Sequence, residues 1–183
     1  MAVVPPTQRG SHGSVRPPFG VSGSRAKASG ELMRQGIKEL RDEPRLAFVL
    51  ALGAGLRWGE IVSLTWEDAE PDSVRVAASK AEGCRAHVIP IGRMVRAVLG
   101  PARGQGVVIR TDAAQVPGTL CTWLRAERIE ELKPIHYLRK CYGSLAVGDH
   151  GIYVVSKLLG HSSITETAST YAGQVDEPPA VKF

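Results

Sequence analysis

From about residue 31 onward, apolar residues recur at helical spacing. Met33, Ile37 and Leu40 stand three and four positions apart and predict a first helix opening near Glu31. Pro44 suits the first turn of a second helix, which runs through Leu46, Phe48, Val49 and Leu50 and is broken by Gly53 and Gly55. A third helix is expected over roughly 57–64. The pattern then changes. Val74 to Ala77 and His87 to Ile91 read as two short strands, and the polar stretch holding Lys80, Glu82 and Gly83 between them predicts a hairpin. Helical periodicity returns at about 93–99, 118–128, 135–147, 152–159 and 163–171. Pro134 opens one of these helices and Gly160 closes another. Ser163 and Glu166 have capping-box spacing for the last. The sum is an α+β chain, mostly helical, with a small antiparallel sheet.

Residues 1–30 follow neither period. They are rich in Gly, Pro and Ser and carry Arg9, Arg16, Arg25 and Lys27 with no acidic residue. Such a stretch buries too little apolar surface to offset its chain entropy, so a disordered basic arm is expected there, ahead of one domain over 31–183. The whole chain has 183 residues, is 43% hydrophobic and carries a formal net charge of +5. That is enough apolar content for a core, and the basic balance suits a nucleic-acid partner. Cys84, Cys121 and Cys141 are odd in number and widely spaced, which indicates neither a disulfide framework nor a zinc site. No apolar run is long enough to span a bilayer, and the first residues lack the regions of a signal peptide. A reducing cytoplasm is the expected location.

Three stretches carry residues with chemical potential. In Gly53-Ala-Gly-Leu-Arg57-Trp-Gly-Glu60, an arginine follows a glycine turn at a helix start, and Glu60 lies three positions on, within reach to orient it. A surface Arg–Glu pair would look the same. In Pro134-Ile-His136-Tyr-Leu-Arg139, a group that titrates near neutrality and a permanent charge share the first turn of a helix. In Leu158-Leu-Gly160-His161, the glycine places His161 in the corner between two helices, and Tyr171 ends the second of them. Taken alone, Tyr171 could equally be an amphipathic ring packed on the core. Ser162 and Ser163 lack the Gly-x-Ser-x-Gly elbow of a nucleophile. Asp149 and His150 form a lone pair rather than a metal cluster, and His87, Trp58, Trp66 and Trp123 read as structural.

The order Arg57, Lys80, His136-x-x-Arg139, His161, Tyr171 resembles the catalytic domain of the tyrosine recombinase, or phage integrase, family, over about residues 31–173. The ten positions from His161 to Tyr171 are one more than the commonest family spacing. The family's N-terminal clamping domain has no counterpart in residues 1–30. The resemblance implies that Tyr171 attacks a DNA phosphodiester, leaving a 3′-phosphotyrosine and a free 5′-hydroxyl. Arg57 and Arg139 would flank the non-bridging oxygens, with Glu60 behind Arg57. His161 would donate a further hydrogen bond, His136 would help remove the phenolic proton and Lys80 would protonate the leaving oxygen. Neither cofactor nor metal is implied. The implied partners are double-stranded DNA and, on paired sites, further copies of the chain in a tetramer, in the cytoplasm on the nucleoid. Two other readings give different expectations. A non-catalytic DNA-binding remnant or regulator would bind in a salt-sensitive manner without a covalent adduct. A topoisomerase of the same chemistry would relax plasmids without a specific site.

Overall fold

The computed structural model describes residues 22–78, 85–100, 105–110, 114–161 and 164–171. In chain order they form α1 (Ser22–Glu39), α2 (Asp42–Gly53), α3 (Trp58–Ser63), β1 (Ser73–Val76), β2 (His87–Pro90), α4 (Arg93–Leu99), α5 (Gln115–Ala126), α6 (Pro134–Leu158) and α7 (Ile164–Tyr171), with a 3-10 turn at Trp66–Asp68. The mostly helical α+β pattern with a two-stranded antiparallel sheet is the one expected from the sequence. Among the described residues, no helix is long and apolar enough to cross a membrane.

Helix α2 is the centre of the molecule. Ala47 to Leu52 are all buried, and the helix packs against α1, α4, α5 and α6. A helix apolar on every side is stable only when enclosed, and burying each Val, Leu or Phe contributes about 1.5–3 kcal/mol. Asp42 and Glu43 in its first turn complement the helix dipole, and Pro44 there removes no intrahelical bond. Phe48 meets Trp123 of α5 edge to face at 5.2 Å, and the Trp123 indole N–H donates to Glu39 Oε2 at 2.8 Å. In the hairpin, Val74 pairs with Ile89 on the buried face, while Arg75 pairs with Val88 facing out. That alternation fixes the register.

Three features bear on the sequence expectation. Helix α1 starts at Ser22, ahead of the start expected near Glu31. Arg25, Ala26, Lys27 and Ala28 are strong helix formers, and extending a helix costs far less than nucleating one. The remainder of the expected arm, residues 1–21, lies outside the described residues. The helices expected over 135–147 and 152–159 are both present within α6, which breaks between them at Gly151, where φ 77° and ψ 163° lie outside the helical region. Third, Val107 bridges Thr65, and the Trp66 and Val108 N–H groups donate to Gly106 O and Leu64 O, each at 2.9 Å. Too few residues alternate there for the pattern to announce a strand.

Two junctions converge beside Arg139 in the N-terminal half of α6. The turn Ala54–Arg57 leads from α2 into α3, and the turn Leu159–His161 leads from α6 toward α7. Helix α7 folds back on α6 and closes a smaller apolar cluster of Ala146, Val147, Val155, Leu159 and Tyr171, with Tyr142 alongside.

Candidate active site

The end of α6 leaves the Leu159 carbonyl to side-chain partners. The Gly160 N–H donates to Lys157 O and the His161 N–H to Ser156 O, both at 3.0 Å, with Gly160 at φ 61°. This is the Schellman arrangement, and a left-handed residue there favours glycine. The bonds satisfy the carbonyls of 156 and 157 and turn His161 back across the helix end. Leu159 O points onward at the negative end of the helix dipole, where cations are stabilised. Arg139 Nη2 donates to it at 2.8 Å, and Arg57 Nη1 donates to it at 3.3 Å.

The two guanidiniums also share a carboxylate. Arg57 donates to Glu60 through its backbone N–H (2.7 Å, to Oε2) and through Nη1 (3.0 Å, to Oε1). Arg139 Nη1 lies 3.6 Å from Glu60 Oε2 and donates to Gly55 O. The side chain of Arg57 is 21% exposed, that of Glu60 3% and that of Arg139 7%. Glu60 therefore does more than cap α3: it is a buried counter-charge between two arginines. Two positive charges around one negative charge leave the cluster net positive, which favours an anion. Arg57 is the more accessible guanidinium and Arg139 the enclosed one. Gly55, at φ 68°, holds the carbonyl that Arg139 uses, and the Tyr142 ring lies where a Cβ at 55 would stand.

His161 joins the same cluster. Arg139 Nη2 is 3.3 Å from His161 Nε2, and His161 Nδ1 is 2.5 Å from Thr167 Oγ1 of α7. A guanidinium can only donate, so in the neutral ring Nε2 accepts and Nδ1–H donates to the threonine. Donation of Nε2–H to a bound anion then requires a second proton on the ring or its release from Arg139. Thr167 is fully buried, so its hydroxyl has a fixed direction. Thr167 is one threonine among several in Ile164–Tyr171 and carries no distinguishing sequence pattern; only its burial and its partner single it out.

The remaining predicted residues fall differently. His136, in the first turn of α6, is exposed, whereas Arg139 is buried; they share a side of the helix at different depths. The His136 imidazole titrates below its ordinary range. Burial of part of the ring is the largest cause, followed by the positive charges of Lys140, Arg139, Lys133 and Arg57. Its neutral form is thus favoured, which suits a proton acceptor. Tyr171, at the end of α7, is 3% exposed, and its ring packs beside Leu159 and Tyr142. Its hydroxyl rests against Gly143 of α6 instead of opening to solvent. Lys80, the hairpin turn around it, Ser162 and Ser163 lie outside the described residues. Cys141 is buried, and its thiol is pushed up to about 11 chiefly by desolvation, which makes it unreactive.

Among proteins of curated function, none matches the chain in sequence. Among solved structures, the catalytic domain of bacteriophage HP1 integrase is similar, at 22% identity and a TM-score of 0.62, over 80% of this chain and 84% of that one. XerA recombinase is similar at 17% identity and a TM-score of 0.64, over 91% of this chain and 61% of that one. A lambda integrase, solved as a dimer bound to a COC′ core site, is similar at 19% identity and a TM-score of 0.64, over 95% of this chain but only 54% of that one. The fold is therefore that of an integrase catalytic domain. The sequence matches the phage integrase family over residues 31–177, and with that span the chain belongs to the phage integrase family.

Proposed function

We propose that this chain, a site-specific DNA recombinase by family, cleaves and rejoins duplex DNA with Tyr171 as the nucleophile. One observation carries the reading. Arg57, Arg139 and His161 come from three separate stretches of chain and meet around Leu159 O and the Glu60 carboxylate. A net positive cluster with fixed donors stabilises the charge that a phosphodiester gains on attack, and preorganised donors of this kind supply a large part of a catalytic effect.

The chemistry follows from the groups. A phenol with an ordinary pKa of about 10 is protonated at neutral pH, so its proton must leave as attack begins. The neutral His136 ring takes it. The phenolic oxygen bonds to phosphorus, the bond to the 5′-oxygen breaks, and a proton from Lys80 or water restores the 5′-hydroxyl. The tyrosyl phosphodiester keeps the bond energy, so reversal by a 5′-hydroxyl rejoins the strand without ATP. The catalytic unit in this proposal is residues 31–183. Duplex DNA is the substrate, several copies assemble on paired sites, and the chain works on the nucleoid.

Covalent trapping tests the proposal. Purified protein is incubated with nicked duplexes drawn from the DNA flanking its own gene, and adducts resistant to denaturant are measured. We expect an adduct with the natural chain and none with Tyr171→Phe, while DNA affinity changes less than twofold. Equal adduct in both proteins would remove Tyr171 from the mechanism.

A further inference from the structure

Gly143 lies within α6, one turn beyond Arg139. A Cβ there would overlap the Tyr171 hydroxyl oxygen and Cζ and would stand 3.0 Å from Cε2. Glycine inside a helix is less stable than alanine, so a glycine at this place calls for a packing reason. The close approach of the tyrosine is that reason. Ala146, Val147, Val155 and Leu159 complete the enclosure, and residue 171 is 3% exposed.

We propose that Gly143 is a positioning residue that builds a resting seat for Tyr171, which the tyrosine must leave before it attacks DNA. The proposal rests on the reading of Tyr171 as nucleophile. In-line attack requires phosphorus within about 3–3.5 Å of the phenolic oxygen, with the flanking nucleotides on either side. On one side of that oxygen stands the backbone of α6, and 3% exposure leaves no opening of that size. The seated hydroxyl is therefore stored, not poised. Helix α7 carries Tyr171 at its end and Thr167 one turn earlier, so movement that frees the hydroxyl also works on the His161–Thr167 bond. Release of the nucleophile and reorientation of His161 are coupled through one short helix.

The test uses Gly143→Ala, Tyr171→Ala and the double variant of the full chain. The three nearest atoms that an alanine at 143 would meet all belong to Tyr171. We expect Gly143→Ala to lower the melting temperature of the natural chain and to raise it in the Tyr171→Ala background, where the collision is gone and alanine favours the helix. Nitration by tetranitromethane, mapped by mass spectrometry against the buried Tyr137, should increase severalfold at Tyr171 in Gly143→Ala. The same variant should form covalent adduct on nicked duplex at least as fast as the natural chain. A melting shift of the same sign in both backgrounds, or unchanged nitration, overturns the seat. Loss of adduct with Tyr171 exposed also overturns it, because the seat would then be the reactive pose. A natural chain that forms no adduct overturns the nucleophile assignment alone, and melting and nitration still decide the seat.

Discussion

Replacing Glu60 by glutamine removes the charge between the two arginines while keeping the shape. The interactions that end on the carboxylate include the Arg57 N–H at 2.7 Å, Arg57 Nη1 at 3.0 Å and Arg139 Nη1 at 3.6 Å. Glutamine keeps one acceptor oxygen, so one hydrogen bond survives in weaker, neutral form, and its NH2 faces a guanidinium that can only donate. A hydrogen bond to a charged group contributes about 1.5–3 kcal/mol, and a neutral one about half of that. One lost bond and one weakened bond, with the Glu60 charge gone from beside the buried Arg139, add to about 3 kcal/mol. That is the low end of the cost of breaking a buried pair, as befits the partial exposure of Arg57. With a urea m-value of about 2 kcal/mol per molar, the midpoint should fall by about 1.5 M with m unchanged. Equilibrium urea unfolding followed by tryptophan fluorescence reads this directly. Inorganic phosphate should restore more stability to Glu60→Gln than to the natural chain, because an anion supplies the missing charge. A midpoint shift below about 0.3 M would put Glu60 among ordinary surface ion pairs and refute the shared-carboxylate geometry.

Two further outcomes follow from the same cluster. Thr167→Val removes the hydroxyl that fixes the His161 ring, and should cost about 1 kcal/mol of stability and slow adduct formation about tenfold. Thr167→Ser should restore the rate, and equal rates for threonine and valine would sink this role. For His136 the sign is set by a folded pKa below the unfolded value of about 6.5. The folded ring binds its proton more weakly, so stability is lost as pH falls through the unfolded value toward the folded one. The neutral base persists over the same window, so the second-order rate of adduct formation by free enzyme should hold until pH falls below about 6.5. An imidazole titration by NMR with its midpoint at or above 6.5 would contradict this.

The helices were legible because their apolar residues repeat and their ends carry Pro134 and Gly160. The hairpin was legible from alternation around a polar turn, within a residue of its bounds. Of the candidate site, Arg57, Glu60, Arg139 and His161 were legible as residue types in order, and the fold brings these four into hydrogen-bonding or ion-pair contact. What linear pattern could not give was depth. Arg139 and His136 share a helix turn, yet one is buried and the other exposed, which only packing decides. The part played by Leu159 O was illegible for a similar reason, because a backbone carbonyl has no residue identity and becomes an acceptor only when the helix ends there. Gly143 reads as a mild helix weakness until Tyr171 is seen against it. The start of α1 was missed because glycine and serine outweighed the helix formers among residues 22–30.

The most direct measurement identifies the residue to which DNA becomes attached. The chain has four tyrosines, and Tyr153, on the exposed side of α6, is 64% exposed whereas Tyr171 is 3% exposed. Reactivity by simple access would therefore choose Tyr153. Adducts trapped on nicked duplex would be digested with nuclease and protease, and the peptide carrying the residual nucleotide sequenced by mass spectrometry. Attachment through a 3′-phosphate on Tyr171 is the predicted result. Attachment at Tyr153 or at any serine, or a stable complex with no covalent product, would contradict it.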